Sequence, residues 1–594
     1  MRLRYLKLKN YPPLNDIAIS FSADSPLDRE CAIRFVVGVN GSGKTHLLQA
    51  VTETFISIAR QTIPNFPVTL IYELGKGEKQ RTLIFDSPGQ GRDEGWWQSE
   101  AGLSKFESDL SEEDWARLVE TVRSGIMGWN PLIQNGNWPG KKVGLPKAVL
   151  AYTTGEFAPW ETLFHYEPQA TEVDINSQSE DYDFSLERPP GWNRTKELEY
   201  RSRLDSEEDV AEVNRLGKLE DEFSSEEQEQ ELCLLITPKL LKSALISVTL
   251  KQAMSEFKCY KTDSEISAFI DEINSNPDAG IGLRRLLSQV GWVWPVCLVF
   301  EVAFSPDKWS QAEARQKRDI LKKLYSIATE VVREPEPSTT RRLFFDLKAR
   351  FDPVLSEGFS ETEIWDYSSS PEAFEFVGEA LLHFLGGLDA EPFDYFQQLL
   401  SLNRMGLLTD VHVALRKADV DDILMFGELS DGEQVYLGRM ALFHLMKNQD
   451  DVLILLDEPE THFNDIWKRE IVGIIDGVLK DQASDVVIST HSSIALTDVF
   501  DHEIELIKKK DGNSYISPLT STTFGADPSE IMINVFDAPD SIGSRALTWL
   551  NQQVDKKWEP EQQKDLEAII RKIGPGLHRS ELRTIWRRLN AAQD

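Results

Sequence analysis

The chain reads as an α/β protein whose largely parallel sheet is split between its two ends. A long, mostly helical insertion separates the halves, and a small helical tail follows. Three observations carry this. Near the start, Arg2 to Lys9 alternates apolar and basic residues, as a half-buried strand does. The apolar run Cys31 to Val37 then leads through a glycine-rich loop into Leu47, Val51, Phe55 and Ile58 at helical spacing. Strand and helix patterns alternate again after Leu408, which is the signature of parallel-sheet units.

With 594 residues, a divisor of about 150 predicts three to four modules. Residues 1–90 are the first half of the α/β unit. A Pro12-Pro13 turn joins Arg2–Lys9 to a second alternating run, Ile17 to Phe21. Residues 91–405 form the insertion. Asp93 to Val122 is expected to be helical in part, Met127 to Gly144 a loop, and Ala148 to Tyr152 a buried strand ending in Thr153-Thr154-Gly155-Glu156. Glu167 to Glu231 is acidic and polar, a solvated segment with some disorder. Helical patterning dominates from Leu232 to Ile327. Residues 406–538 are the second half, with strands at Val411–Leu415, Ile423–Phe426, Val452–Leu456 and Val486–Ser489. Helices are expected at Ser430–Met446 and Trp467–Leu479, and a hairpin at Ile504–Ile516. Residues 539–594 are the tail.

Composition excludes several classes. Hydrophobic residues are 41% and charged ones 27%, ordinary for a globular protein. The longest apolar run, Gly291 to Phe304, is too short for a bilayer, which takes about 20 residues. The basic start lacks the apolar core of a signal peptide, so a cytoplasmic protein is expected. The net charge of −34 repels phosphate backbones, so nucleic acid would need a local basic surface. The tail offers one in Arg571, Lys572, Arg579, Arg583, Arg587 and Arg588, although a solvated helix face explains these somewhat better. Four scattered cysteines without a C-x-x-C pair predict neither a disulfide framework nor a zinc site. Trp96, Trp97, Trp292 and Trp294 are expected in core or interface positions.

Four motifs carry chemistry. Gly38-Val39-Asn40-Gly41-Ser42-Gly43-Lys44-Thr45 fits G-x-x-x-x-G-K-[ST] between a strand and a helix. Glycines let backbone amides turn towards phosphates at a helix start, Lys44 reaches the β- and γ-phosphates, and Thr45 ligates Mg²⁺. Second, the apolar strand Val452–Leu456 ends in Asp457-Glu458. Adjacent carboxylates point to opposite sides, so Asp457 would support Mg²⁺ and Glu458 would activate water. Third, Leu429-Ser430-Asp431-Gly432-Glu433-Gln434 opens a helix. Ser430 and Glu433 form a capping box there, and a helix start also suits an anion. Fourth, Ser489-Thr490-His491-Ser492 closes the next strand.

In that order the motifs resemble those of ABC-type ATPases, specifically the RecF/SMC/overcoming-lysogenisation-defect branch. The resemblance implies an ABC-type P-loop ATPase head with ATP and Mg²⁺ as ligands. It implies that Gly38, Asn40, Gly41, Ser42, Gly43, Lys44 and Thr45 cradle the nucleotide and that Asp457 supports the metal. Glu458 would be the catalytic carboxylate, with Lys44 and His491 at the γ-phosphate. Ser430, Gly432 and Glu433 would act on the nucleotide of a second copy, giving a head-to-head dimer or a larger even oligomer. His462 falls where that branch has its D-loop, and Glu156 is the candidate for its glutamine-lid position. The insertion lacks the long coiled coil of SMC arms, and no TOPRIM-type D-x-D strand end follows His491. Thr523-Phe524-Gly525-Ala526-Asp527 and Ile573-Gly574-Pro575-Gly576 are similar to Septu-type anti-phage ATPase subunits, which work with a separately encoded HNH nuclease. A RecF-like DNA-binding repair ATPase without a dedicated effector is the alternative, and a transporter ATPase fits the long insertion least.

Overall fold

The computed structural model describes residues 1–21, 29–88, 94–99, 102, 110–133, 137–139, 143–155, 157–164, 232–257, 292–303, 311–333, 340–351, 374–417 and 423–591. The acidic segment 167–231 and Glu156 lie outside the described residues.

The central sheet has seven strands. Their order is Asn513–Ser517, Ile504–Lys510, Ala32–Val37, Asp485–Thr490, Val452–Asp457, Ala148–Thr153 and Cys233–Ile236. Neighbours are parallel throughout except for the edge hairpin 504–510/513–517. Every residue of Val452–Asp457, Asp485–Thr490 and Ala148–Thr153 is buried, as a parallel sheet covered on both faces requires. Helix Lys44–Ala59 covers one face with Leu47, Leu48, Val51 and Phe55. The other face joins the largest core, which includes helices Pro238–Phe257 and Asp431–Leu445.

A six-stranded antiparallel sheet lies beside it, in the order Leu14–Ser20, Arg2–Tyr11, Val68–Leu74, Arg81–Ser87, Gly95–Ser99 and Trp129–Pro131. The alternation in Arg2–Tyr11 has two destinations. Leu6 and Leu8 join the core of the Lys44 helix. Tyr5 faces the other way and stacks on Trp115 at 5.6 Å. Trp115 sits on helix Glu112–Arg123, started by the capping box of Ser111 with Asp114. Trp96 is buried and Trp97 half-buried beneath the Arg123 guanidinium, 5.3 Å from its ring.

The third sheet is antiparallel, in the order Glu330–Arg333, Thr340–Asp346, Trp292–Ala303, Leu408–Lys417 and Ile423–Met425. The expected strands near Val411 and Ile423 therefore belong to this sheet and not to the parallel one. Helices Gln311–Ile327, Val377–Leu385 and Pro392–Arg404 also contribute to its core. The tail forms helices Ser544–Asp555, Gln563–Lys572 and Leu577–Ala591, with a small core of Trp558, Leu566, Ile570 and Leu582.

Two expectations about 91–405 are corrected. It is not one body set apart from the head, because Ala148–Thr153 and Cys233–Ile236 pair inside the seven-stranded sheet. Within the stretch expected to be helical, Trp292–Ala303 is a strand. Its Val, Phe and Cys content fits a strand buried between partners, and a continuous apolar run hides its period. The helices named above surround these strands, so the insertion is mixed where it is described. Cys31, Cys233 and Cys297 are free thiols, and Cys259 lies outside the described residues. Among the described residues, no helix is long and apolar enough to cross a membrane.

Asp485 joins the two N-terminal sheets. It is fully buried, takes the Leu3 amide at 2.8 Å, and receives Arg34 Nε on its two oxygens at 3.2 and 3.3 Å. Arg34 Nη2 in turn donates to the Leu3 carbonyl at 3.2 Å. Asp485→Ala strands a buried guanidinium and is expected to cost about 3–5 kcal/mol. Urea unfolding checks this; a loss below about 1 kcal/mol would show that the pair does not hold the sheets together.

Candidate functional site at the carboxyl edge of the parallel sheet

Register assembles the site. Val37 lies beside Thr490, Ser489 beside Asp457, and Asp457 beside Thr153. Four neighbouring strands thus end level, and their next residues form one edge, where open α/β sheets bind ligands.

The glycine loop needs its glycines. Gly38, Gly41 and Gly43 have φ of +154°, +75° and +102°. A Cβ on Gly38 would run into the Ile507 carbonyl oxygen, and one on Gly43 would lie 2.8 Å from Leu14 Cδ2. The loop is therefore wedged between the edge hairpin and the Pro13-Leu14 turn. Ser42 is fully buried and its Oγ has no protein partner. Its carbonyl accepts from Ser514 Oγ at 2.6 Å. Gly43 caps the Lys44 helix in the left-handed conformation.

Lys44 and Thr45 leave the loop in different directions. Lys44 is 5% exposed, so its charge is largely removed from water. Its Nζ donates to the carbonyls of Gly38 at 3.1 Å and Val39 at 3.5 Å, and lies 2.6 Å from His491 Nε2. Burial pulls its ammonium below the usual lysine range, against the opposing charges of Glu458, Asp457 and Glu460. Thr45 Oγ1 lies 3.0 Å from both oxygens of Asp457.

The two adjacent carboxylates separate as the sequence predicts. Asp457 turns inward and also receives Ser489 Oγ at 2.6 Å and Thr153 Oγ1 at 3.2 Å. Burial pushes its carboxyl up, while the hydroxyls of Ser489, Thr45 and Thr153 hold it down. A hydroxyl beside a buried carboxylate is the oxygen donor set that a hard divalent cation takes. Glu458 turns outward, with its side chain 39% exposed. Its φ of +51° is unusual for a residue with a Cβ and costs about 1–3 kcal/mol. Its amide donates to the Ser489 carbonyl at 3.1 Å, which over-determines that turn. Glu458 Oε1 is 3.2 Å from His491 Nε2, and this contact holds the Glu458 carboxyl below its usual range. One ring nitrogen cannot accept from Lys44 and donate to Glu458 together, so His491 is a pivot between the cation and the anion.

Ser430, Gly432 and Glu433 are not part of this cluster. They start helix Asp431–Leu445, where Ser430 is exposed. The capping box is present: Ser430 Oγ accepts from the Glu433 amide at 3.4 Å, and Glu433 Oε2 accepts from the Ser430 amide at 3.1 Å. A Cβ on Gly432 would come within 3.5 Å of the His462 carbonyl oxygen, so this helix start abuts the 458–462 loop. His462 has a left-handed φ of +72°. Four residues bonded to this edge or to its loop escape the motif reading: Thr153, Glu460, Tyr152 and Arg439. Hydroxyls closing two strands beside Asp457 are the signal that points to Thr153.

A family model described as an AAA domain matches residues 1–70. That span holds the first strands, the glycine loop and the Lys44 helix. No curated protein matches the chain. Among solved structures, an Smc head domain bound to the C-terminal domain of ScpA, from Pyrococcus furiosus, is 11% identical with a TM-score of 0.28, covering 87% of this chain and 96% of that one. The SMC head domain from Thermotoga maritima gives 11%, 0.28, 88% and 100%. An Smc head with a coiled coil and joint from Pyrococcus yayanosii gives 13%, 0.28, 87% and 97%. Superpositions this loose carry no functional argument.

Gly38→Ala and Gly41→Ala separate the two uses of glycine. Gly41 has open space around it, so alanine there costs only the left-handed penalty, about 1–2 kcal/mol. Alanine at Gly38 adds the collision with Ile507 and is expected to cost more. Chemical denaturation of both variants checks this, and equal losses would mean the hairpin does not fix the loop.

Proposed function

We propose that the protein is a Mg²⁺-dependent ATP hydrolase of the ABC type whose two copies close over ATP. The convergence of Lys44, Thr45, Asp457, Glu458 and His491 at one sheet edge carries this reading. The loop of Gly38 to Gly43 would receive the phosphates, with Asn40, Gly41 and the unpartnered Ser42 hydroxyl along them. Thr45 and Asp457 would hold Mg²⁺, which would neutralise phosphate charge.

The chain's own groups do the rest. Lys44 exchanges the carbonyls of Gly38 and Val39 for β- and γ-phosphate oxygens, a stronger charge-assisted pairing. Glu458, half-exposed and ionised, accepts a proton from the attacking water as its oxygen bonds to the γ-phosphorus. The bond from that phosphorus to the bridging oxygen breaks, leaving ADP and phosphate. His491, released from Lys44, donates to a γ-phosphate oxygen or orients Glu458. The exposed start of the Ser430 helix presents its first amides, with Gly432 and Glu433, to the second copy's nucleotide.

The finer role is regulation of a separately encoded nuclease, of HNH type, in bacterial anti-phage defence. The resemblance at 523–527 and 573–576 supports it. Phage plating on cells that carry the chain with and without such a nuclease tests this role. Protection by the chain alone, or salt-sensitive DNA binding by the purified chain, would favour the RecF-like alternative.

Glu458→Gln keeps the side-chain shape but removes the base. Turnover is expected to fall by about 10²–10⁴-fold while ATP binding and an ATP-dependent dimer persist. Phosphate release and light scattering check both; unchanged turnover would remove Glu458 from the role of base.

A further inference from the structure

Arg439 sits on the Ser430-capped helix, nine residues beyond the cap and about 14 Å along its axis. It is 2% exposed. Its Nε donates to the Tyr152 hydroxyl at 2.9 Å and its Nη1 to the Thr461 carbonyl at 2.9 Å. The guanidinium lies over the rings of Tyr152 and Phe463, 5.1 and 4.9 Å from their centroids. Among the described residues no carboxylate is within ion-pair distance of it, and the opposing charge that acts on it is the buried Glu460, further off. A buried cation without a contacting counter-ion carries a large desolvation cost. Cation–π contacts and two hydrogen bonds offset part of this. An apolar residue of similar size would pack in the same place without that cost. The arginine is therefore poorly explained by stability alone.

What it grips is informative. Thr461 follows Glu460, whose buried carboxylate accepts from Thr490 Oγ1 and from the His491 amide, the latter at 3.3 Å. The Thr461 amide donates to the Glu458 carbonyl at 3.1 Å. Both ends of this short loop, Glu458 and His462, are left-handed. One side of the loop is thus fastened to the helix that starts at Ser430. The other side is fastened to the backbone of His491 and to Glu458. The Tyr152 hydroxyl adds a third anchor, on the strand that carries Thr153 to Asp457.

We propose that Arg439 is a positioning residue that couples the Ser430 helix, through Thr461 and Glu460, to the placement of His491 and Glu458 in the same copy. Seating that helix on the second copy's nucleotide then sets the hydrolytic residues of the first. This rests on the two-copy reading above, and the planar fork is essential to it. Lysine cannot donate to Tyr152 and Thr461 in the same geometry.

The test compares wild type with Arg439→Lys, Tyr152→Phe and Glu460→Gln in the full chain. Steady-state ATP turnover gives kcat, KM and the Hill coefficient, and a fluorescent ATP analogue reports binding to dilute, monomeric protein. Single-copy affinity is expected to stay within about twofold and kcat to fall about three- to tenfold in Arg439→Lys. The Hill coefficient should drop from about 2 towards 1. Tyr152→Phe, which keeps the packing, should shift the same quantities less. Arg439→Lys combined with Glu460→Gln should be no worse than the poorer single variant. Variants that lose kcat at an unchanged Hill coefficient, or whose effects simply add, would overturn the proposal. Wild type that never dimerises on ATP would sink the two-copy reading along with it; a dimerising wild type with cooperative Arg439→Lys would sink this inference alone.

Discussion

Asp457 accepts hydrogen bonds from Thr45, Ser489 and Thr153, three hydroxyls on three different elements. Thr45 lies 412 residues away in sequence and Thr153 lies 304. No local propensity brings such groups together. Parallel register does, because Ser489 and Thr153 are the residues paired with Asp457 across its two neighbouring strands. The buried carboxylate needs those donors, since an unpaired one would carry a desolvation cost of several kcal/mol. The same requirement fixes where the Lys44 helix begins. Everything else at the edge follows from that: the outward turn of Glu458, the reach of Lys44 and the pivot at His491.

The site is built on balanced charge. Lys44 is largely desolvated and borrows loop carbonyls, while Glu458 leans on His491. On the proposed function, a triphosphate would satisfy both sides, because it would offer Lys44 a stronger partner and free the histidine, and its entry would rearrange all three groups. The loop of residues 458–462 lies between this cluster and the Ser430 helix, and its two left-handed residues give it few alternative paths.

Much of this edge was legible from residue types alone. Gly38, Gly41, Gly43, Lys44 and Thr45 link a strand to a helix and Asp457 closes a strand, places that local chemistry marks, whereas His491 is singled out only by the family resemblance. The capping box at Ser430 was also readable, because its two partners are three residues apart. What stayed hidden depends on long-range pairing. Ala148–Thr153 looks like any buried strand, and only its position beside Val452–Asp457 makes Thr153 part of the site. Trp292–Ala303 is an apolar run interrupted by a single charge, Glu301, so its period is masked and its pairing with Leu408–Lys417 has no local signal. The antiparallel strands Val68–Leu74 and Arg81–Ser87 have no place in the sequence-based expectation. Arg439 carries no local signal, because the two rings and the hydroxyl around it come from distant parts of the chain.

On the proposed two-copy arrangement, each hydrolytic centre takes its Lys44 loop from one copy and its Ser430 helix from another. Mixing two inactive variants, Lys44→Ala and Ser430→Arg, tests it most directly. In a mixed pair one centre combines an intact Lys44 with an intact Ser430. ATP turnover should therefore rise above the sum of the two variants, to at most about a quarter of the wild-type rate when equal amounts assemble at random as twofold pairs, and lower where the surviving centre loses the setting of Glu458 and His491 through Arg439. A mixture no more active than the sum of the two variants, although the two variants pair with each other on ATP, would rule out such shared centres.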